Sequence, residues 1–284
     1  MSLATTQELL RSAASRGLGI GAFNVITLEY AEAIVSGAEQ AGSPVILQLS
    51  ENATRFHHGN MAPIAAAMRE IAVSATVPVS LHLDHVEDQE ILYRSADAGF
   101  SSIMFDAGSL PYQDNVEATR KAAGWAHARG LSIEAELGYV GGKDTQVSNA
   151  HSPGIRTDPG QAAEFVTATE VDALAVAVGS SHAMTARTAL LDAELIRELR
   201  AAVPVPLVLH GSSGVSEENL AHAVECGIVK VNVGTILSIA YTSTVRSVLA
   251  RQPSLNDPRQ YLSEARDEIA AVVANFIALI SGSP

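Results

Sequence analysis

Residues 78–87 read PVSLHLDHVE. A run of apolar strand-formers is broken by His82, Asp84 and His85 at the point where a strand gives way to a helical pattern. Two readings compete for this cluster: a hydrogen-bonded polar strand end, or a metal ligand beside a general base at the mouth of a barrel. Seven other segments have the same form: 20–25, 44–50, 101–107, 131–138, 172–179, 206–212 and 228–234. Most are near-continuous apolar runs, as expected of parallel strands buried on both faces. Helical patterns lie between them, among them 29–42, 86–99, 115–130 and 216–227, and each of these ends in glycine, the residue that best tolerates the left-handed position after a helix. Eight strand–helix units in one chain of 284 residues predict a TIM (β/α)8 barrel occupying 1–284 as a single domain. A doubly wound open sheet is the alternative. The apolar run 269–280 is too short to span a bilayer and is interrupted by Asn275, so it predicts an extra C-terminal helix packed on the domain or on another subunit.

Composition narrows the class of partner. Lys and Arg total 18 against 31 Asp and Glu, a formal charge of −13, and no basic stripe is visible, so a nucleic-acid partner is not expected. The single cysteine, Cys226, excludes an internal disulfide and fits a reducing cytoplasm. The N-terminal MSLATTQELL lacks a basic segment followed by an apolar stretch, so no signal peptide and no membrane association are expected. The acidic balance leaves a question: an anionic substrate would need a locally positive site.

Chemistry in a TIM barrel sits at the C-terminal ends of the strands. Taken strand by strand, that position holds Asn24, Ser50, Asp84 with His85, Asp106, Glu136, His182 in the loop after the sixth strand, His210 and Asn232. His85, His182 and His210 can converge over one mouth, and three imidazoles with an open coordination position describe a catalytic zinc site. His82 alternates with Asp84 on one strand face, so it suits a supporting hydrogen bond rather than a fourth ligand. Asp84 is the candidate base. HGSSG (210–214) and NVGT (232–235) follow the seventh and eighth strands, where backbone amides and a helix dipole can hold a phosphate without a basic patch. The long stretch 138–158 is irregular and glycine-rich, a length that usually serves function.

The motifs HLDH (82–85), EAELG (134–138), GSSHAM (179–184), LHGSSG (209–214), KVNVGT (230–235) and DPRQYL (257–262) resemble, in order and nearly end to end, those of class II (zinc-dependent) fructose/tagatose-bisphosphate aldolases. The compact length is more similar to the tagatose-bisphosphate and related ketose-bisphosphate branch. The resemblance implies zinc on His85, His182 and His210, with Asp106 and Glu136 at positions associated with a second or alternative metal position. It implies Asp84 as the proton-transfer residue and Asn232 beside the enediolate. Gly211, Ser213, Gly234 and Thr235 would hold the phosphate of the dihydroxyacetone-phosphate half, with a monovalent cation near that site, and Asn24 and Ser50 are further candidates for substrate contact. Arg259 resembles an arginine that reaches a neighbouring subunit's site to bind the distal phosphate, which implies a homodimer or homotetramer. The chain departs from the pattern at Ala183, at Ile236 and at GGKDT, where Asp144 stands for the usual loop glutamate.

The expected reaction is a reversible retro-aldol cleavage of a ketose 1,6-bisphosphate, of fructose or tagatose type, in carbohydrate metabolism. Lys230 lies too early in its strand to serve as a Schiff-base lysine. A metal-dependent sugar-phosphate isomerase or epimerase, or a non-catalytic scaffold barrel, are the rival expectations.

Overall fold

The computed structural model describes residues 2–138, 156–182, 184 and 186–282. The chain opens with α1 (Thr6–Arg16) and then alternates: β1 (Ile20–Asn24), α2 (Leu28–Gln40), β2 (Val45–Ser50), α3 (Glu51–Phe56), α4 (Ala62–Ser74), β3 (Val79–Val86), α5 (Gln89–Arg94), β4 (Ser102–Phe105) and α6 (Tyr112–His127). It continues with β5 (Ser132–Leu137), α7 (Pro159–Thr169), β6 (Ala173–Val176), α8 (Ala193–Ala202), β7 (Leu207–Leu209), a 3-10 turn at Ser212–Gly214, α9 (Glu217–Cys226), β8 (Ile228–Val233), α10 (Thr235–Arg251) and α11 (Pro258–Ile280). The eight strands close in sequence order into a parallel barrel, β8 pairing back to β1 with Ala22 opposite Asn232. This is the TIM barrel expected from the strand pattern. Seven of the strands fall within the segments read from the sequence, and β3, expected over 78–84, continues two residues further, to Val86.

The barrel has two apolar regions. One lies between the strands and the surrounding helices and includes Phe23, Leu47, Leu83, Ile103, Phe165 and Val231. The other fills the interior with Ala22, Ile46, Ala173, Ala175 and Val208, and α1 closes it from below with Leu9, Leu10 and Ala13. The N-terminal segment is therefore the floor of the barrel. A capping box fixes the start of α1: the Thr5 side chain accepts from Glu8 N, and the Glu8 carboxylate accepts from Thr5 N at 2.9 Å. Burying Leu9 and Leu10 there contributes about 1.5–3 kcal/mol each relative to leaving them exposed.

The C-terminal helix α11 lies along α2 and buries Ile269, Val273, Phe276 and Ile280. Gly37 allows the approach: a Cβ at that position would come within 2.5 Å of the Ala270 carbonyl oxygen and 2.8 Å of Val273 Cβ. Among the described residues no helix is long and apolar enough to cross a membrane.

Candidate active site

Alternation along the strands sorts the polar residues of the barrel interior into two layers. The upper layer, at the C-terminal mouth, holds Gln48, Asp84, Glu136 and Asn232. One step below lie His82, Glu134 and Lys230. All seven are buried, Lys230 and His82 almost completely.

Alternation alone would turn His85 away from the interior, since its neighbour Asp84 faces in. Two features re-aim it. The β3–β4 register shifts between Leu83 and Val86, and His85 adopts a left-handed backbone conformation at φ 49°. Such a bulge bends the strand, and a non-glycine residue held at positive φ costs on the order of 1–3 kcal/mol, so surrounding structure must enforce it. The consequence is that Asp84 and His85, adjacent in sequence, both face the mouth.

The rings of His85 and His210 are 4.8 Å apart between centroids, those of His85 and His182 5.0 Å, and those of His182 and His210 5.5 Å. Ligand atoms of His85, Glu136, His182 and His210 all lie within 4.8 Å of one another. Ligands bonded at about 2.1 Å to a tetrahedral ion lie about 3.4 Å apart, so side-chain adjustments on the order of 1 Å would let the four groups share an ion. The proton positions favour this. His85 Nδ1 donates to Asp106 Oδ2 at 2.9 Å, and His210 Nε2 donates to Glu134 Oε1 at 3.0 Å. Asn232 Nδ2, another donor, also lies 3.1 Å from that His210 nitrogen. A carboxylate outweighs a neutral donor, so the proton stays on Nε2. The inner nitrogens, His85 Nε2 and His210 Nδ1, then face each other as acceptors at 3.0 Å. A shared proton or a metal ion between them relieves the repulsion, and the donor set fits a borderline cation such as zinc.

Asp84 Oδ1 accepts from Asn232 Nδ2 at 3.3 Å and Oδ2 from Gln48 Nε2 at 3.4 Å. Burial pushes its carboxyl up, but the opposing pull of His85, His210, Lys230 and His82 is larger, and the group ends below the usual carboxylate range. Asp84 is therefore ionised at neutral pH, as a base must be. The loosely held carboxylate borders a cavity of about 280 Å³ lined by Asn24, Gln48, Asp84, His85, His182 and Asn232 on one side. Ser181, Gly211, Ser212, Ser213, Gly234 and Thr235 line the other, so the two phosphate-type turns predicted from sequence meet the histidine cluster in one space. A larger cavity of about 320 Å³ opens at the opposite, N-terminal end beneath His82 and lies away from the histidine cluster.

Gly211 has φ 68°, and a Cβ there would fall 2.5 Å from the Ser181 carbonyl oxygen. It permits the segment carrying His182 to cross close over the end of β7. Gly211→Ala should displace that segment and lower kcat/KM by about 10²-fold, the scale of a 1 Å misplacement. Gly42 supplies the control, having φ 59° with open space around it: Gly42→Ala should cost about 1–2 kcal/mol of stability and leave kcat/KM unchanged. Steady-state kinetics and thermal melts of both variants check the contrast.

Other predicted residues divide in two. Asp106 stands behind His85, its second oxygen accepting from Gly108 N at 3.2 Å. Ser50 turns its hydroxyl to Ala53 N as the cap of α3, while Gln48 reaches the cavity from the same strand. Arg259 is 88% exposed in its side chain and is held by Asp257 at the start of α11. Asp144 lies outside the described residues. Gln48 and Glu134 were not singled out from the sequence; both are inward by alternation from a recognised strand-end residue, a signal that could have found them.

Comparison with known proteins agrees with this geometry. The family model for class-II fructose-bisphosphate aldolase matches residues 4–283. A fructose-bisphosphate aldolase of Geobacillus stearothermophilus is 39% identical over 278 residues, covering 96% of this chain and 95% of the relative. Among solved structures, the YdjI aldolase from Escherichia coli K12 superposes with a TM-score of 0.85 at 33% identity, over 98% of this chain and 97% of that one. A structure described as a putative fructose-1,6-bisphosphate aldolase from Coccidioides immitis gives 0.84 at 32% identity, over 97% and 95%. With the barrel, the histidine cluster and these matches in agreement, the chain belongs to the class II fructose-bisphosphate aldolase family, whose members are aldehyde-lyases.

Proposed function

We propose that this chain reversibly cleaves a ketose 1,6-bisphosphate, of fructose or tagatose type, to dihydroxyacetone phosphate and an aldehyde, using zinc held by His85, His182 and His210. One observation carries the reading: an ionised, loosely held Asp84 shares a cavity with the imidazoles of His85 and His182 and two phosphate-type turns, and His210 packs against both rings from the barrel interior. When bound, zinc would polarise the ketose carbonyl and favour negative charge beside it. Asp84 takes the C4 hydroxyl proton as the C3–C4 bond breaks. Asn232, adjacent to both Asp84 and His210, sits where the charge develops. Glu136 is close enough to the cluster to occupy an alternative metal position. The N-terminus of α10 at Thr235 and the turn at Ser212–Gly214 supply amides and a dipole for the 1-phosphate, which accounts for anion binding by an acidic chain, and a monovalent cation could sit beside it. Product analysis tests the reading. Incubation with fructose and tagatose 1,6-bisphosphates should release dihydroxyacetone phosphate from at least one, whereas an isomeric sugar phosphate alone, or no turnover, would reject it.

Two roles extend the proposal to residues outside this cavity. Asp144 stands where the resemblance places the loop acid that reprotonates the carbanion. Asp144→Ala should slow overall cleavage by about 10²-fold or more while carbanion formation, read by an external oxidant, persists. Unchanged cleavage would move that role to another group. Arg259 is proposed to bind the distal phosphate in a neighbour's site of a homodimer or homotetramer. Helix α10 supports a second copy, for it buries only Leu237 and Val248 fully and leaves Ile239 and Leu249 exposed. Arg259→Ala should raise KM for a bisphosphate far more than for a ketose monophosphate, and equal effects would make it structural only.

A further inference from the structure

Lys230 is 0% exposed, and its ammonium donates to Glu134 Oε2 at 2.7 Å. The other oxygen of Glu134 accepts from His210 Nε2 at 3.0 Å. Below, Lys230 Nζ also donates to His82 Nε2 at 3.2 Å, and His82 Nδ1 reaches Ser102 Oγ at 2.7 Å. Ser102 Oγ donates to Thr6 Oγ1 of α1 at 2.6 Å. Each link has a defined direction. An ammonium can only donate, so His82 must accept at Nε2 and carry its proton on Nδ1. Burial, then Lys230, pushes the His82 imidazolium down to about 3, so the ring is neutral and can accept. Glu134, set between the Lys230 ammonium at 2.7 Å and the His210 Nε2–H at 3.0 Å, faces two donors and accepts from both.

A buried ion pair is a poor device for stability, since an apolar replacement of similar volume is often neutral or better. The barrel nevertheless places one directly beneath the histidine cluster, and Glu134 spends its two oxygens on one cation and one imidazole. We propose that Glu134 and Lys230 are positioning residues for the metal site: Lys230 fixes the orientation of Glu134, and Glu134 holds the His210 proton on Nε2 so that Nδ1 faces the metal position. Replacing the carboxylate by an amide removes the constraint, because a carboxamide can accept from Nε2–H or donate to Nε2 in the other tautomer. The N-terminal helix belongs to the same chain of contacts through Thr6, so the floor of the barrel helps set the orientation of a ligand at its mouth. This inference rests on the proposed metal site.

The test is metal affinity rather than turnover. Zinc binding to chelator-stripped wild type is compared by chelator competition with Glu134→Gln and with the charge-neutral Glu134→Gln/Lys230→Met pair. The pair leaves no uncompensated buried charge, so a cooperative melt is expected. Zinc should bind about 10–100-fold more weakly to both variants. A folded pair with wild-type affinity overturns the inference, while absence of zinc binding by the wild type overturns the metal site itself. Nitrogen-15 NMR of the zinc-loaded wild type covers the case where the variants do not fold. His210 should show a proton on Nε2 and the metal on Nδ1, and the reverse assignment would overturn the inference.

Discussion

Asp84→Asn is expected to lower kcat by about 10²–10⁴-fold, the range for loss of a positioned acid–base group. The substitution preserves volume at a site only 2% exposed, so no cavity is made and the fold should melt near the parent temperature. Asparagine cannot take a proton, and one side of its amide would present hydrogens to Asn232 Nδ2 or Gln48 Nε2, both donors in the parent. Binding should suffer little, since the phosphate turns are untouched. Zinc content should also persist, because the proposed ligands are His85, His182 and His210. The check is a kcat/KM split with metal analysis: a variant that keeps zinc and near-parent KM but turns over at the parental rate would remove Asp84 from the chemistry.

His182→Ala should have an effect of similar size through a different cause. Of the three imidazoles, His182 alone lies in a loop, between β6 and α8, rather than at the end of a strand. Removing it takes one proposed ligand from the cluster without touching the Glu134–Lys230 pair below, so the barrel should survive. Turnover should fall by at least about 10²-fold and metal affinity should drop with it. Elemental analysis of the dialysed variant reads the second quantity. One zinc per chain with unchanged turnover would show that the assignment of His182 is wrong.

The barrel was legible because its strands are buried on both faces and so read as short apolar runs ending in a polar residue. The seven strand-end or post-strand residues Asn24, Asp84, His85, Asp106, Glu136, His210 and Asn232 all lie at the C-terminal mouth, as their position after an apolar run indicated. What the pattern did not carry was direction. Simple alternation turns His85 outward, and only a register shift with a left-handed residue brings it in. Alternation also puts Gln48 and Ser50 on one face, but the hydroxyl of Ser50 is drawn to the first turn of α3, leaving Gln48 to line the cavity. Lys230 was visible as an inward lysine and excluded as a Schiff base. Its tie to Glu134 is a contact across 96 residues of sequence that no local pattern encodes. Nor does the sequence of α1 announce that it closes the barrel floor, since a capping box and two leucines suit any amphipathic helix.

The histidine cluster and Asp84 are proposed to act together as one metal-dependent retro-aldol site. Titration of zinc into the chelator-stripped chain, with release of dihydroxyacetone phosphate from fructose and tagatose 1,6-bisphosphates followed at each addition, tests it most directly. Cleavage should be negligible before addition and rise linearly to a plateau at one zinc per chain. Full-rate cleavage by the stripped chain, or no cleavage of either sugar at any zinc level, would contradict it.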